Sequence, residues 1–219
     1  MNSTCPFHRL ARSLVAGALA LSAASVSAVT ISETLDTLAL GAPFPRLPLC
    51  ADVRTPDGER FTALCAESAR SDRSLMAIGF PDKQRPDIMD GNRAVAVVDG
   101  TRLVGLVVPT QGARSDAKVL TALTKAFGKP VRVEQEQVAG AGGGMVSTTH
   151  AGWIRPPMTV EMYAIPDQPD TGTVELLTDA ARPLMGAPSA ASAVAAAPGA
   201  GGARRGVASA PAAKSRQGW

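Results

Sequence analysis

Two β-rich runs, Val95-Ala96-Val97-Val98 and Leu103-Val104-Gly105-Leu106-Val107-Val108, flank the dipeptide Asp99-Gly100. An Asp-Gly pair in that setting favours a type I′ turn, because both central residues need positive φ. The pair therefore predicts a tight antiparallel hairpin over residues 94–110. Apolar residues occupy both faces of its strands, which places the hairpin centrally in a sheet, covered on at least one side. Whatever this chain folds into has to be built around that hairpin.

The segment after the hairpin carries helical periodicity. Val119, Leu120, Leu123 and Phe127 fall on one face, Ser115 stands where an N-cap belongs, and Asp116 suits the positive end of the helix dipole. Gly128 and Pro130 supply the stop. Strand signals then return over residues 131–138, 145–154, 158–165 and 173–178. The connections are the glycine-rich stretch 140–144, Pro156-Pro157, and residues 166–172 read as a turn. Upstream, the apolar run 75–80 suits a short buried strand that ends at Pro81. Short links between consecutive strands imply antiparallel pairing. The expected fold is α+β: a small antiparallel sheet in the order β-β-α-β-β-β, with one helix packed on a face, preceded by a disulfide-bounded β-hairpin.

That leading hairpin rests on the cysteines. Residues 1–28 read as a secretory signal peptide: His8, Arg9 and Arg12 form a basic head, an apolar stretch of about eleven residues follows, and Val26-Ser27-Ala28 offers a small-x-small cleavage pattern. The stretch is too short to span a bilayer as a lasting helix, so no transmembrane segment is expected in the mature chain. Cys5 would leave with the leader. The remaining pair, Cys50 and Cys65, flanks the turn sequence Thr55-Pro56-Asp57-Gly58, and in an oxidising compartment such a pair forms a disulfide. The spacing is not C-x-x-C, which argues for a structural rather than a redox-catalytic role. A perfect two-residue turn at Asp57-Gly58 would set the cysteines at a wide hydrogen-bonded pair, so a bulge or longer loop is expected with it.

The resulting domain plan has four parts: the signal peptide 1–28, a proline-rich extended lead-in 29–49 in which residues 32–38 can begin a short helix, a single domain 50–183, and a tail 184–219. The tail is dominated by alanine, glycine, proline and serine, and such a composition cannot offset its own ordering entropy. Charge follows the same partition. Of 22 basic residues two lie in the leader and four in the tail, which leaves 16 against all 19 acidic residues in the body. A mildly acidic body excludes a nucleic-acid-binding surface, which needs clustered cations against phosphate.

No residue pattern announces a reaction. His150 is the one histidine after the leader. Ser147 and Thr149 neighbour it along a strand, but no G-x-S-x-G elbow is present, so no catalytic residue is assigned. One histidine and two oxidised cysteines do not make a usual zinc site. Asp82, Asp87 and Asp90 lack calcium-loop spacing, so no metal and no cofactor is expected. The glycine run 140–144 has no Lys-Ser/Thr after it and reads as a flexible link rather than a phosphate loop. Glu134, Glu136 and Glu161 read as one polar face of alternating strands. Trp153, Arg155, Tyr163 and Arg132 form the one candidate ligand surface, an aromatic-and-arginine composition; against it stands the reading of Trp153 as core filling.

The run Val107-Val108-Pro109-Thr110, the helix, and Phe127-Gly128-Lys129-Pro130, followed by strands with a tryptophan, resembles a pattern in small exported bacterial proteins. These motifs are structural and imply no activity. The expectation is thus a non-catalytic binding or interaction module of the bacterial cell envelope, periplasmic or secreted. Its partner would be another envelope protein, or an anionic polymer met by the basic tail. The alternatives are a periplasmic hydrolase built around His150 and a purely structural envelope protein. Mass spectrometry of the exported protein should find an N-terminus near Val29; an N-terminus at Met1 on exported protein would remove the cleaved leader.

Overall fold

The computed structural model describes residues 29–140 and 142–186. It corrects the expected α+β arrangement. Among the described residues the fold is mostly sheet: one antiparallel sheet of eight strands with three helices, rather than a small sheet with a single helix. The strands are β1 (Cys65–Ser68), β2 (Leu75–Gly79), β3 (Arg93–Asp99), β4 (Arg102–Thr110), β5 (Arg132–Ala139), β6 (Met145–Arg155), β7 (Met158–Ile165) and β8 (Gln168–Thr178), in spatial order β1-β2-β3-β4-β8-β7-β6-β5. The expected hairpin is β3–β4, at the centre of the sheet, but its turn is not the type I′ Asp-Gly turn: Asp99 pairs with Arg102 as the last strand residue, the turn residues are Gly100 and Thr101, and of these Gly100 alone has positive φ, at 59°. Helix α2 (Asp116–Phe127) carries the chain from β4 to the far edge, and β5 to β8 then meander back until β8 pairs with β4. The small-sheet expectation missed this long-range closure, which no local pattern encodes. It also stopped β8 short: the turn occupies only the residues between Ile165 and Gln168, with Asp167 at φ 62°.

The disulfide Cys50–Cys65 is present, with Cα atoms 4.9 Å apart, but it does not bound a β-hairpin. Cys65 opens β1, whereas Cys50 lies in a turn. The chain before it runs parallel to β1 through a single Leu49–Ala66 bridge. Between the cysteines only Arg54 and Phe61 bridge, around the 55–58 turn. The parallel approach brings the sulfurs together without the wide antiparallel pair.

Each face of the sheet has its own apolar layer. On the first face, Ile78, Ala96, Leu106, Val108, Trp153, Val160, Met162, Val174 and Leu176 pack against Val119, Leu123 and Phe127 of α2. Ile31 of α1 (Ile31–Thr37) and Leu38 join the same core. The lead-in is thus helical at its start, where a capping box between Thr30 and Glu33 satisfies the first turn. On the second face, Val95, Val97, Val107 and Leu177 pack under Ala181 and α3 (Arg182–Met185). Gly105 makes that approach possible: a Cβ there would stand 2.8 Å from Leu177 and 3.1 Å from Ala181. The leader 1–28 lies outside the described residues, as does the tail beyond residue 186. No helix among the described residues is long and apolar enough to cross a membrane.

The junction of α2 with β6 is polar and specific. Gly128, at φ 76°, ends the helix, and its carbonyl accepts from the Trp153 indole at 2.8 Å. The Arg155 guanidinium donates to the Phe127 carbonyl, placing a cation at the negative end of the helix dipole. At the other end Ser115 bonds back to Gly112 rather than capping, and Asp116 accepts the Thr149 amide at 2.6 Å. Leu123 is fully buried in this layer. Leu123→Ala should lower unfolding stability by about 2–5 kcal/mol in urea titrations; an unshifted midpoint would mean that α2 does not hold the sheet.

Candidate functional site

Strand alternation places a polar field on the second face, beside the patch that α3 covers. The register sets Glu134 opposite His150 and Glu136 opposite Thr148 on β5 and β6. It sets Glu161 opposite Glu175 and Tyr163 opposite Thr173 on β7 and β8. Because side chains at alternate positions share a face, all of these project to one side, with Arg132 opposite Gly152 at the rim. Arg182, at the start of α3, reaches Glu161 at 3.8 Å.

His150 is the hub. Its Nδ1 lies 2.8 Å from a Glu136 oxygen, and its Nε2 lies 2.8 Å from an Arg132 guanidinium nitrogen. A guanidinium only donates, so Nε2 must accept, and Nδ1 carries the proton that goes to Glu136. The hydrogen bonds therefore orient the ring with its Nδ1–H toward Glu136. Glu161 stands 3.9 Å from Nε2, and the Tyr163 ring lies 5.6 Å from the imidazole, tilted by 54°. No side-chain hydroxyl among the described residues bonds to His150: Ser147 and Thr149 both pair with Gln135.

Next to this hub lies a buried carboxylate. Glu175 is 7% exposed and accepts the Tyr163 hydroxyl at 2.7 Å. Burial raises its pKa above the ordinary glutamate range, and the facing charge of Glu161 adds to the rise; the Tyr163 donor offsets part of it. The Tyr163 hydroxyl is pushed upward by burial and by its bond to the carboxylate, so it stays a donor. Across the field, three carboxylates (Glu134, Glu136, Glu161) face two guanidiniums (Arg132, Arg182), an excess of negative charge, while burial pushes Glu175 beside them toward its neutral form.

The four residues of the candidate ligand surface divide between the faces of the sheet. Trp153, 1% exposed, lies in the first-face core, and Arg155 caps α2 on that side. Tyr163 and Arg132 lie on the second face, within the polar field. Cys50 and Cys65 sit apart, packed with Phe61 in a small cluster of their own. Asp82, Asp87 and Asp90 do not converge: Asp82 lies 3.9 Å from Arg60, and Asp90 accepts from Gln111. Sequence reasoning passed over Glu175, although an acid between Val174 and Leu176 in an apolar strand marks a buried carboxylate. No family model matches the chain, and neither a curated protein nor a solved structure matches it.

The raised Glu175 pKa fixes the sign of a pH effect. Its folded-state value lies above its unfolded value. Its stabilising contribution is therefore complete below about 4.5 and is lost as pH rises through the folded value. Relative to Glu175→Gln, the wild-type chain should lose unfolding stability from pH 4 toward pH 8. A constant difference across that range in urea titrations would show that burial does not raise the Glu175 pKa.

Proposed function

We propose that this protein is a non-catalytic binding module that works outside the cytosol, in the cell envelope or secreted, and that the polar half of its second sheet face is the contact surface. One observation carries the reading: the partly exposed carboxylates of Glu134, Glu136 and Glu161 gather around His150 with an excess of negative charge. Side chains that pack a sheet for stability are apolar, as on the first face; a solvent-reachable field of acids around one histidine is a recognition surface. The buried disulfide supports an oxidising compartment. The acidity favours a cationic partner group over an anionic polymer. Contact between an anionic polymer and the basic tail concerns residues outside those described.

A second reading, a hydrolase around His150, draws on the Glu136–His150 pair, which has the geometry of a base and its orienting acid. It lacks a nucleophilic hydroxyl on the imidazole among the described residues. The two readings separate in one experiment. The purified chain, 15N-labelled, is titrated with cationic probes (spermidine, a Lys-rich peptide), while chromogenic ester, phosphoester and glycoside substrates are assayed in parallel. The proposal expects amide shifts on β5 to β7 around Glu136, His150 and Glu161, and no turnover. Turnover that disappears in His150→Ala would replace it with the hydrolase, and shifts confined to other elements would move the contact surface.

A further inference from the structure

Resting on the reading of the polar face as a binding surface, we infer that its ligand is a divalent first-row transition-metal ion, held by Glu134, Glu136 and Nδ1 of His150. One carboxylate oxygen from each glutamate and one ring nitrogen of the histidine all lie within 4.8 Å of one another. Around a zinc-sized ion with ligand bonds of about 2.0–2.2 Å, ligand atoms stand roughly 3.3–3.6 Å apart, so the 2.8 Å Glu136–His150 contact opens slightly and the wider pairs close by about an ångström at most. Glu134 and Glu136 have side chains 53% and 42% exposed, so both have rotamer freedom for that closure. The three ligands come from two paired strands, with Glu134 directly opposite His150, so the backbone fixes their spacing. Mixed imidazole and carboxylate donors suit zinc, manganese or iron, not magnesium, which prefers oxygen alone.

Two further features point to a cation. Thr148 stands opposite Glu136 on the same face, and its hydroxyl is buried without a partner. A ligating carboxylate, or a water on the ion, would give that hydroxyl its bond. Glu161 lies 3.9 Å from Nε2. With an ion on Nδ1 the imidazole takes the Nε2–H tautomer, and Nε2 can then donate to Glu161. That is the carboxylate–histidine–metal arrangement that orients a ligating ring. The exchange balances, one proton leaving Nδ1 to solvent and one returning from solvent to Nε2.

Arg132 is the counterpart of the ion. Its guanidinium sits 2.8 Å from Nε2 and 3.9 Å from Glu134, supplying positive charge to the cluster and holding the other tautomer. Ion and guanidinium therefore compete, and Arg132 must swing out when the ion enters.

The test is calorimetric titration of the full chain with zinc chloride, tag-free, in a non-chelating buffer. Cys5→Ser and His8→Ala remove the third cysteine and the other histidine as competing ligands. The expected result is saturable one-to-one binding, weakened about 100-fold by His150→Ala and at least about 10-fold by Glu136→Gln, with magnesium giving no heat. Arg132→Gln should tighten binding, a gain that no loss of folding can mimic. Absence of saturable zinc binding, or binding indifferent to His150→Ala, overturns the inference. So does Arg132→Gln weakening it. Zinc failure while spermidine still shifts the β5–β7 amides removes the metal and leaves the binding surface. Zinc binding together with substrate turnover keeps the metal and removes the non-catalytic reading.

Discussion

The ladder between β4 and β8 joins two half-sheets that would otherwise be separate. It runs from Gly105–Leu177 to Thr110–Gly172, between residues about 60–70 apart in sequence. Closing so long a segment costs chain entropy, though the cost grows only logarithmically with length. The return is burial on both sides at once. Leu106 and Val108 meet Val174 and Leu176 under α2, while Val107 and Leu177 meet under α3. Without this ladder, β4 and β8 would be exposed apolar edges, the kind of strand that pairs with other chains. The helix that carries the chain across the sheet lies on β6 and joins the same apolar layer as the seam, so the crossover contributes to the core.

Local structure was legible because its signals are local. The hairpin around Gly100, the helical spacing from Val119 to Phe127 and the Gly128-x-Pro130 stop each operate within a few residues, and each corresponds to an observed element, although the turn lies one residue later than the Asp-Gly pair implied. The full eight-strand order was not legible, since antiparallel strands of similar composition carry no label naming their partner. Pro169 and Gly172 misled for a physical reason: both disfavour strand interiors. Pro169 is tolerated near the start of β8, beside the irregularity at Ala164 and Ile165. Gly172 is needed because residues of the turn before α2 press on it, with a Cβ there only 2.8 Å from Gly112. The cysteine loop misled because spacing around a turn does not reveal whether the two arms meet in parallel or antiparallel sense.

The candidate site shows the same division. That Glu134, Glu136 and Glu161 share a polar face is readable from alternation alone. Their convergence on His150 depends on the β5–β6 and β6–β7 registers, and one residue of slip would send every one of them to the opposite face. Trp153 and Arg155, near His150 in sequence, work on the other side of the sheet, tying the end of α2 to β6.

Facing carboxylates on neighbouring strands repel, and a sheet built only for stability would not set Glu161 against Glu175. The structure contains the repulsion with two groups, the Tyr163 hydroxyl on Glu175 and the Arg182 guanidinium near Glu161, and with burial that favours the neutral acid at Glu175. None of these quiets the acids nearer the sheet edge. There Glu134 and Glu136 depend on Arg132 and on the Nδ1–H of His150. Arg132 therefore sets the polarity of the whole edge. While it stays, the histidine offers its lone pair outward to the guanidinium and its proton to Glu136. Once it leaves, the same ring can reverse those roles, with Glu161 in place to receive the new Nε2–H.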